Sequence, residues 1–354
     1  MHRNPSARFP VKLAAVSAAA LLAAAGAQAQ STVTAYGLLD VAAGQFQVAG
    51  GAKVKRLDSG NFSTSYIGFR GTEDLGGGLK VNFALESFLL VDAGTAGRVN
   101  GVDGFWGRNA NVGISGGFGS LRFGRMGPPL FVSSLLFNSF GDSFGYSPTI
   151  RQYYNAPYGT PLVGDSGWNN SIGYSSPRFG GLSGNVQVAA GEGAATSRGP
   201  NWGANLVYFG GPLGFTAAWQ KVQSQGTLGR GISAFPGFSD QTAYQFGGSF
   251  DAKFAKFFVQ YGVIETSATA KVKVKNINLS ASMPVGSTGA FLAAYGMGSI
   301  QTAGSALKPE SDMITLGYTH SLSKRTELYG IFMSDKYTGR STGTTLAAGM
   351  RHRF

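Results

Sequence analysis

Sixteen stretches of the chain alternate apolar with polar or small side chains at every second residue. Outside the N-terminal segment, no run of about 18 uncharged apolar residues is present to supply a membrane helix. The last stretch shows the pattern most plainly. Leu346, Ala348, Met350, His352 and Phe354 alternate with Ala347, Gly349, Arg351 and Arg353, one face apolar or aromatic and the other small or basic. A strand so patterned has lipid on one side and water on the other. The spans read as 32–44, 62–70, 79–90, 106–115, 119–125, 168–175, 182–191, 201–210, 213–222, 241–251, 255–265, 271–282, 288–298, 310–321, 325–335 and 343–354. Most lie near the ~9–11 residues that a tilted strand needs to cross a bilayer, and no convincing helix interrupts them.

The connections sharpen this reading. Even-to-odd links are brief turns, as at Gly71 to Gly78, Gly116 to Phe118, Gly210 to Pro212 and Ala252 to Phe254, whereas odd-to-even links such as 45–61, 91–105, 126–167 and 223–240 are mostly long. A membrane barrel has short turns on one side and long loops on the other; a soluble β-sandwich has no reason to alternate its turn lengths. The expected fold is all-β: a transmembrane antiparallel β-barrel of 16 strands. Gly76, Gly77 and Gly78 permit the positive φ of a tight turn, which Asp74 can cap.

Residues 1–29 read as a signal peptide. Arg3, Arg8 and Lys12 form a basic start, Leu13 to Ala25 an apolar stretch and Ala27-Gln28-Ala29 a cleavage site, leaving 30–354 as one barrel domain. Without those three cations, 26 basic residues stand against 17 acids, a net charge of +9 that suggests anionic partners. Nucleic acid is a poor fit for an exported chain. The 55 glycines show no collagen period, and 26 phenylalanines argue against disorder. With no cysteine there can be no disulfide or thiolate metal site. Only His320 and His352 follow the signal segment, without metal-ligand spacing or a Gly-x-Ser-x-Gly elbow, so neither enzyme, cofactor nor metal is expected.

The third long loop, 126–167, is too long for a simple connection and carries Phe131, Phe137, Phe140, Phe144, Tyr146, Tyr153, Tyr154 and Tyr158. A sixteen-strand ring leaves an aqueous lumen. The loop is expected to fold into it, the alternative being a surface loop packed on its own aromatics.

Several strings resemble one family. Tyr36-Gly37 with Asp40, the run Gly68 to Lys80 followed by Leu85-Glu86-Ser87, Gly116-Gly117-Phe118-Gly119-Ser120-Leu121 with Phe123-Gly124-Arg125, Asn170-Ser171-Ile172 with Tyr174 and Ser176 to Gly181, Leu322 to Tyr329, and the Arg-His-Arg-Phe ending are similar in order and spacing to the trimeric general porins of Gram-negative bacteria, β-proteobacterial type. The resemblance covers nearly all of 30–354. It implies a homotrimer in the cell outer membrane, in contact with its lipid and lipopolysaccharide, passing small hydrophilic solutes and inorganic ions by passive diffusion; the basic excess at lumen-compatible positions such as Arg108, Arg125, Arg351 and Arg353 adds the expectation of a moderate anion preference.

It also implies a constriction in which loop acids face wall arginines. Arg108 matches a wall arginine and Arg125 the arginine at the loop entrance, while Tyr66 and Gly173 stand where the family has arginine. Arg122 or Arg151 are candidates to compensate, although a regular strand cannot aim both Arg122 and Arg125 inward. Asp142 and Asp165 are the candidate loop acids. Glu86 shares a face with Lys80, Asn82 and Ala84 and should point into water; for it and Asp40, anchoring by hydrogen bonds stands beside a direct effect on ions. Tyr66, Tyr153, Tyr154 and Tyr158 suggest an aromatic eyelet, which keeps a solute-specific porin for sugars or aromatic acids as an alternative, as the long loops keep a surface adhesin or receptor.

Lys271, Lys273 and Lys275 share parity with Ile277 and Leu279, which suggests a β-bulge near Lys275-Asn276 and lysines at the extracellular mouth. They are candidates to steer anions or bind lipopolysaccharide phosphate, or to form a solvated charge run.

Overall fold

The structure, a computed structural model, describes residues 32–98, 103–155, 161–191, 199–223 and 235–354. The signal segment 1–29 and Tyr158 lie outside the described residues. The strands are β1 Thr32–Phe46, β2 Val54–Ser59, β3 Tyr66–Gly76, β4 Leu79–Leu90, β5 Thr95–Ala96, β6 Asn109–Gly116, β7 Gly119–Met126, β8 Trp168–Ser175 and β9 Leu182–Ala189. They continue as β10 Asn201–Gly210, β11 Leu213–Val222, β12 Asp240–Asp251, β13 Lys256–Ser267, β14 Val272–Val285, β15 Gly289–Thr302, β16 Glu310–Ser321, β17 Thr326–Tyr337 and β18 Gly343–Arg353.

Every neighbour pairs antiparallel, and β18 returns to β1 with Asp40 opposite Arg351. β5 is a two-residue pairing on β4, and β2 and β3 share β1 as partner, so the ring has sixteen staves. Closure leaves no edge, which lets strands cross a bilayer with their backbone groups paired. The alternation seen in the sequence now has two sides. On β10, Leu206 is exposed outward while Asn205 and Val207 are buried inward; on β18, Leu346 and Met350 are exposed while Ala347 is buried. Towards the loop ends of the staves Trp202 and Tyr244 stand on the outward face, and near the turn ends Phe118, Phe179 and Phe254 are exposed, as in an aromatic girdle.

One tight turn shows how sequence sets the hairpins. Gly76, Gly77 and Gly78 adopt φ of 79°, 60° and 82°, and the Asp74 carboxylate accepts the Gly76 amide at 2.9 Å. The stave facing β1 is broken at 60–65, and Asp40 fills the break. Its buried carboxylate accepts the amides of Phe62 at 2.7 Å and Ser63 at 2.8 Å and the Tyr329 hydroxyl. Asp40 is therefore an anchor.

The third long loop, here L3, contains two helices that the sequence analysis did not expect: α1 Pro129–Leu136 and α2 Pro148–Tyr154. Each begins at a proline, which suits the first helical turn because its missing N–H would have no partner there, and Ser147 caps α2 through the Ile150 amide. Their short length hid them among aromatic residues. L3 packs on the polar, inward face of the staves. Asn205 and Gln260 donate to carbonyls of Pro129 and Phe137 at 2.9 and 2.7 Å, Thr315 donates to the Tyr146 carbonyl at 2.8 Å, and Gln241 grips Pro161 and Val163. The apolar core forms between loop and wall: Phe140 and Tyr146 against Phe62 and Tyr329, and Leu130, Ile150 and Tyr153 against Ala218, Ala243 and Ile264.

The expected bulge near Lys275 is absent. β14 pairs without interruption from Val272 to Ser282 on both sides. Parity is kept because Lys273, Lys275, Ile277 and Leu279 all face outward, and the face passes from leucine to lysine as the stave nears its loop end. Lys273 bridges to Glu265 at 2.6 Å, and Lys271 precedes the strand. Lys273 and Lys275 thus stand on the outward face near the loop end of the stave and do not line the lumen.

Candidate functional site

Cross-strand partners share a face, so pairing identifies the inward side chains. Tyr36 faces Gly68, which faces Glu86, which faces Asn109; Arg70 faces Ala84; Arg122 faces Gly113. The wall between β1 and β7 is therefore charged and aromatic. Glu86 is buried there and accepts from the Tyr36 hydroxyl and the Asn109 amide, with the Arg108 guanidinium 3.4 Å away. Arg108 lies 4.2 Å from the centre of the Tyr66 ring, and Arg70 4.6 Å from that of Tyr36. Such contacts orient a guanidinium without neutralising it. Among the described residues Arg70, Arg122 and Arg353 form no ion pair, and all three are exposed on the inward face.

Arg351, on the same face, bridges Glu327 at 2.7 Å and donates to the Ser63 hydroxyl at 2.8 Å. That hydroxyl donates to Asp142 of L3 at 2.9 Å. Asp142 and the arginine wall thus meet through one serine.

Arg125 is held differently. The register shifts between Gly124 and Met126, with Gly124 at φ 121°, which is how the parity conflict between Arg122 and Arg125 is resolved. Arg125 donates to the carbonyls of Gly107 at 2.6 Å and Gly167 at 2.9 Å and to Asn169 at 2.7 Å, and lies 3.2 Å from Asp165. Asp165 also receives Arg98 in bidentate fashion at 2.8 and 2.9 Å, and Arg98 bridges Asp103 at 2.7 Å. Burial disfavours charge on Asp165, yet the hydrogen bonds and charge of Arg98, with Arg125 behind them, hold its carboxyl down at about 2. This network ties L3 to the preceding loop, so Asp165 and Arg125 act as a latch and present no free charge.

Arg151 also departs from expectation. It is 4% exposed and bridges Asp335 of β17 at 3.0 Å behind the loop, so it cannot line the lumen. Tyr153 and Tyr154 are buried between L3 and the wall, because α2 turns its aromatic face outward towards the staves. Only Tyr66 of the expected aromatic eyelet is described as facing the lumen. The sequence reading missed Arg70 and Arg98. Arg70 sat inside a turn signature, although its parity with Thr72 and the Gly68 position already placed it on the polar face. Arg98 gave no signal, because loop residues have no period. Among the described residues no three His, Asp or Glu side chains converge as metal ligands would.

Comparison with known proteins agrees with this architecture. The Gram-negative porin family matches residues 15–340. The chain is 33% identical to outer membrane porin protein 32 of Delftia acidovorans, over 97% of this chain and 100% of that protein. It is 27% identical to the major outer membrane protein P.IB of Neisseria meningitidis serogroup B, over 94% of this chain and 97% of that protein. Among solved structures, an anion-selective porin from Comamonas acidovorans superposes with a TM-score of 0.77 at 27% identity, covering 92% of this chain and 100% of that one. With a closed ring of sixteen staves, an apolar outer face and a polar interior, this chain belongs to the Gram-negative porin family, a β-barrel of the outer membrane that serves as a passive diffusion channel.

Proposed function

We propose that the channel prefers anions and that L3 forms its constriction, with Arg70, Arg108, Arg122 and Arg353 on the wall and Asp142 on the loop. The observation that carries this reading is the set of three inward arginines, Arg70, Arg122 and Arg353, with no carboxylate partner among the described residues. Fixed positive charge in a narrow, low-dielectric passage favours anions beyond what screening allows in bulk water. The related Comamonas protein, which is anion-selective, supports the same direction.

Reversal potential in a salt gradient across a planar bilayer tests the proposal. The wild type should favour chloride, and Arg70→Ala with Arg122→Ala should move the potential towards zero. A cation-preferring wild type, or a double variant identical to it, would overturn the assignment. We further propose a homotrimer, supported by small outward residues where barrels would meet: Ala35, Gly37 and Ala43 on β1 and Ala348 on β18. By analogy with helix contacts, small residues let backbones approach closely. Native mass measurement in mild detergent should give three chains; a single-chain mass would refute it.

A further inference from the structure

The arginines on the wall do not stand alone. Arg108, Tyr66, Tyr36 and Arg70 form one continuous file on the inward face: 4.2 Å from the Arg108 guanidinium to the Tyr66 ring, 5.9 Å between the two tyrosine rings at 78°, and 4.6 Å from Tyr36 to Arg70. Phe88 backs the upper end, 5.8 Å from Arg108. Cation and aromatic surface are thus arranged at the separation found within a single small aromatic acid.

We propose that this file is a transit site for aromatic carboxylates, compounds of the benzoate type, and that the channel passes them in preference to aliphatic carboxylates of equal size and charge. The proposal rests on the anion-preferring reading above. A carboxylate needs N–H donors, and Arg108 has them to spare: a quarter of its side chain is open, and its one acidic contact, Nη1 with Glu86, is 3.4 Å long. Arg70, lower on the same wall, has no carboxylate partner and can receive the anion in turn. Between the two cations a ligand ring meets Tyr66 and Tyr36, whose faces and edges offer stacked or edge-on contact. The Tyr66 hydroxyl forms no hydrogen bond among the described residues, so its ring is not committed to holding the wall together. Tyr36, by contrast, is tied to Glu86. An aliphatic ring fills the same volume but has no π-face to offer the guanidinium or the tyrosines.

The test compares benzoate with cyclohexanecarboxylate in reconstituted channels at concentrations low enough that flux scales with occupancy of the site. The wild type should carry benzoate about three- to tenfold faster, the span expected for one or two aromatic contacts. Tyr66→Leu should bring the two fluxes together while chloride still conducts, and Tyr66→Phe, which keeps the ring, should preserve the preference. Equal fluxes in the wild type, or an unchanged ratio in Tyr66→Leu, would overturn the proposal. Chloride reversal potential in the same membranes separates the two levels. A chloride-preferring channel without the benzoate ratio removes the file alone, whereas a cation-preferring channel removes the anion reading as well.

Discussion

Replacing Arg151 with methionine should loosen L3 from the wall, and the cost follows from the geometry. The Arg151–Asp335 pair is 3.0 Å apart, with side chains 4% and 0% exposed, so water screens it little. At an effective dielectric of about 20 the attraction is about 5 kcal/mol, but most of it offsets the desolvation of two charges. Removing one partner exposes that desolvation. Asp335 would keep only the Ala49 amide at 3.4 Å, and Arg151→Met should therefore cost about 3–5 kcal/mol. Asp335→Leu should cost about the same, because it strands the guanidinium, which otherwise reaches only the Gly145 carbonyl. The double variant should return to within about 1 kcal/mol of the wild type, since an apolar pair of similar shape carries no desolvation. Denaturant unfolding in detergent, followed by tryptophan fluorescence, measures the cycle, and single-channel recordings should show a noisier open state in each single variant alone. Single costs that simply add in the double variant would refute the reasoning, because independent residues add and a buried pair does not.

Two other outcomes can be stated briefly. Asp165 is held at about 2 against an ordinary 3.8, so the stability it lends the latch is fully present above pH 3.8 and is lost as pH falls through 2; channel gating should be unchanged from pH 7 to 4 and alter below about pH 3, whereas Asp165→Asn should show the altered gating at pH 7. Glu86→Gln keeps an acceptor for Tyr36 and Asn109 but removes a negative charge beside Arg108; at about 1 kcal/mol per ion it should raise chloride permeability and lower potassium permeability, each by roughly fivefold; reversal potential reads the combined change.

The staves were legible in the sequence because lipid and water impose a period of two. β10 and β11 match the expected spans residue for residue, 201–210 and 213–222, since every outward position there, such as Leu206 or Phe215, contrasts with an inward one. Where no two-sided solvent acts, the reading failed. β2 lies beyond the break at Gly60, and the helices of L3 are wrapped in wall on one side and lumen on the other, so they carry no simple amphipathic period. The arginines illustrate the limit of parity. It sets Arg122 and Arg125 in conflict, but it cannot tell that Arg125 follows a register shift or that Arg151 is consumed by a carboxylate 184 residues away.

The moorings of L3 also bear on the order of assembly. Asn61, whose carbonyl accepts the Gly145 amide at 2.9 Å, belongs to the stave beside β1, while Asp335 belongs to β17, beside β18. These two anchors sit on opposite flanks of the β1–β18 seam and become neighbours only when the seam shuts. A loop moored on both flanks bridges the seam from inside, so its full set of anchors exists only in the closed ring, and the loop contacts and the β1–β18 pairing stabilise one another. Loosening either mooring should therefore weaken the seam as well as the loop, although neither residue belongs to β1 or β18.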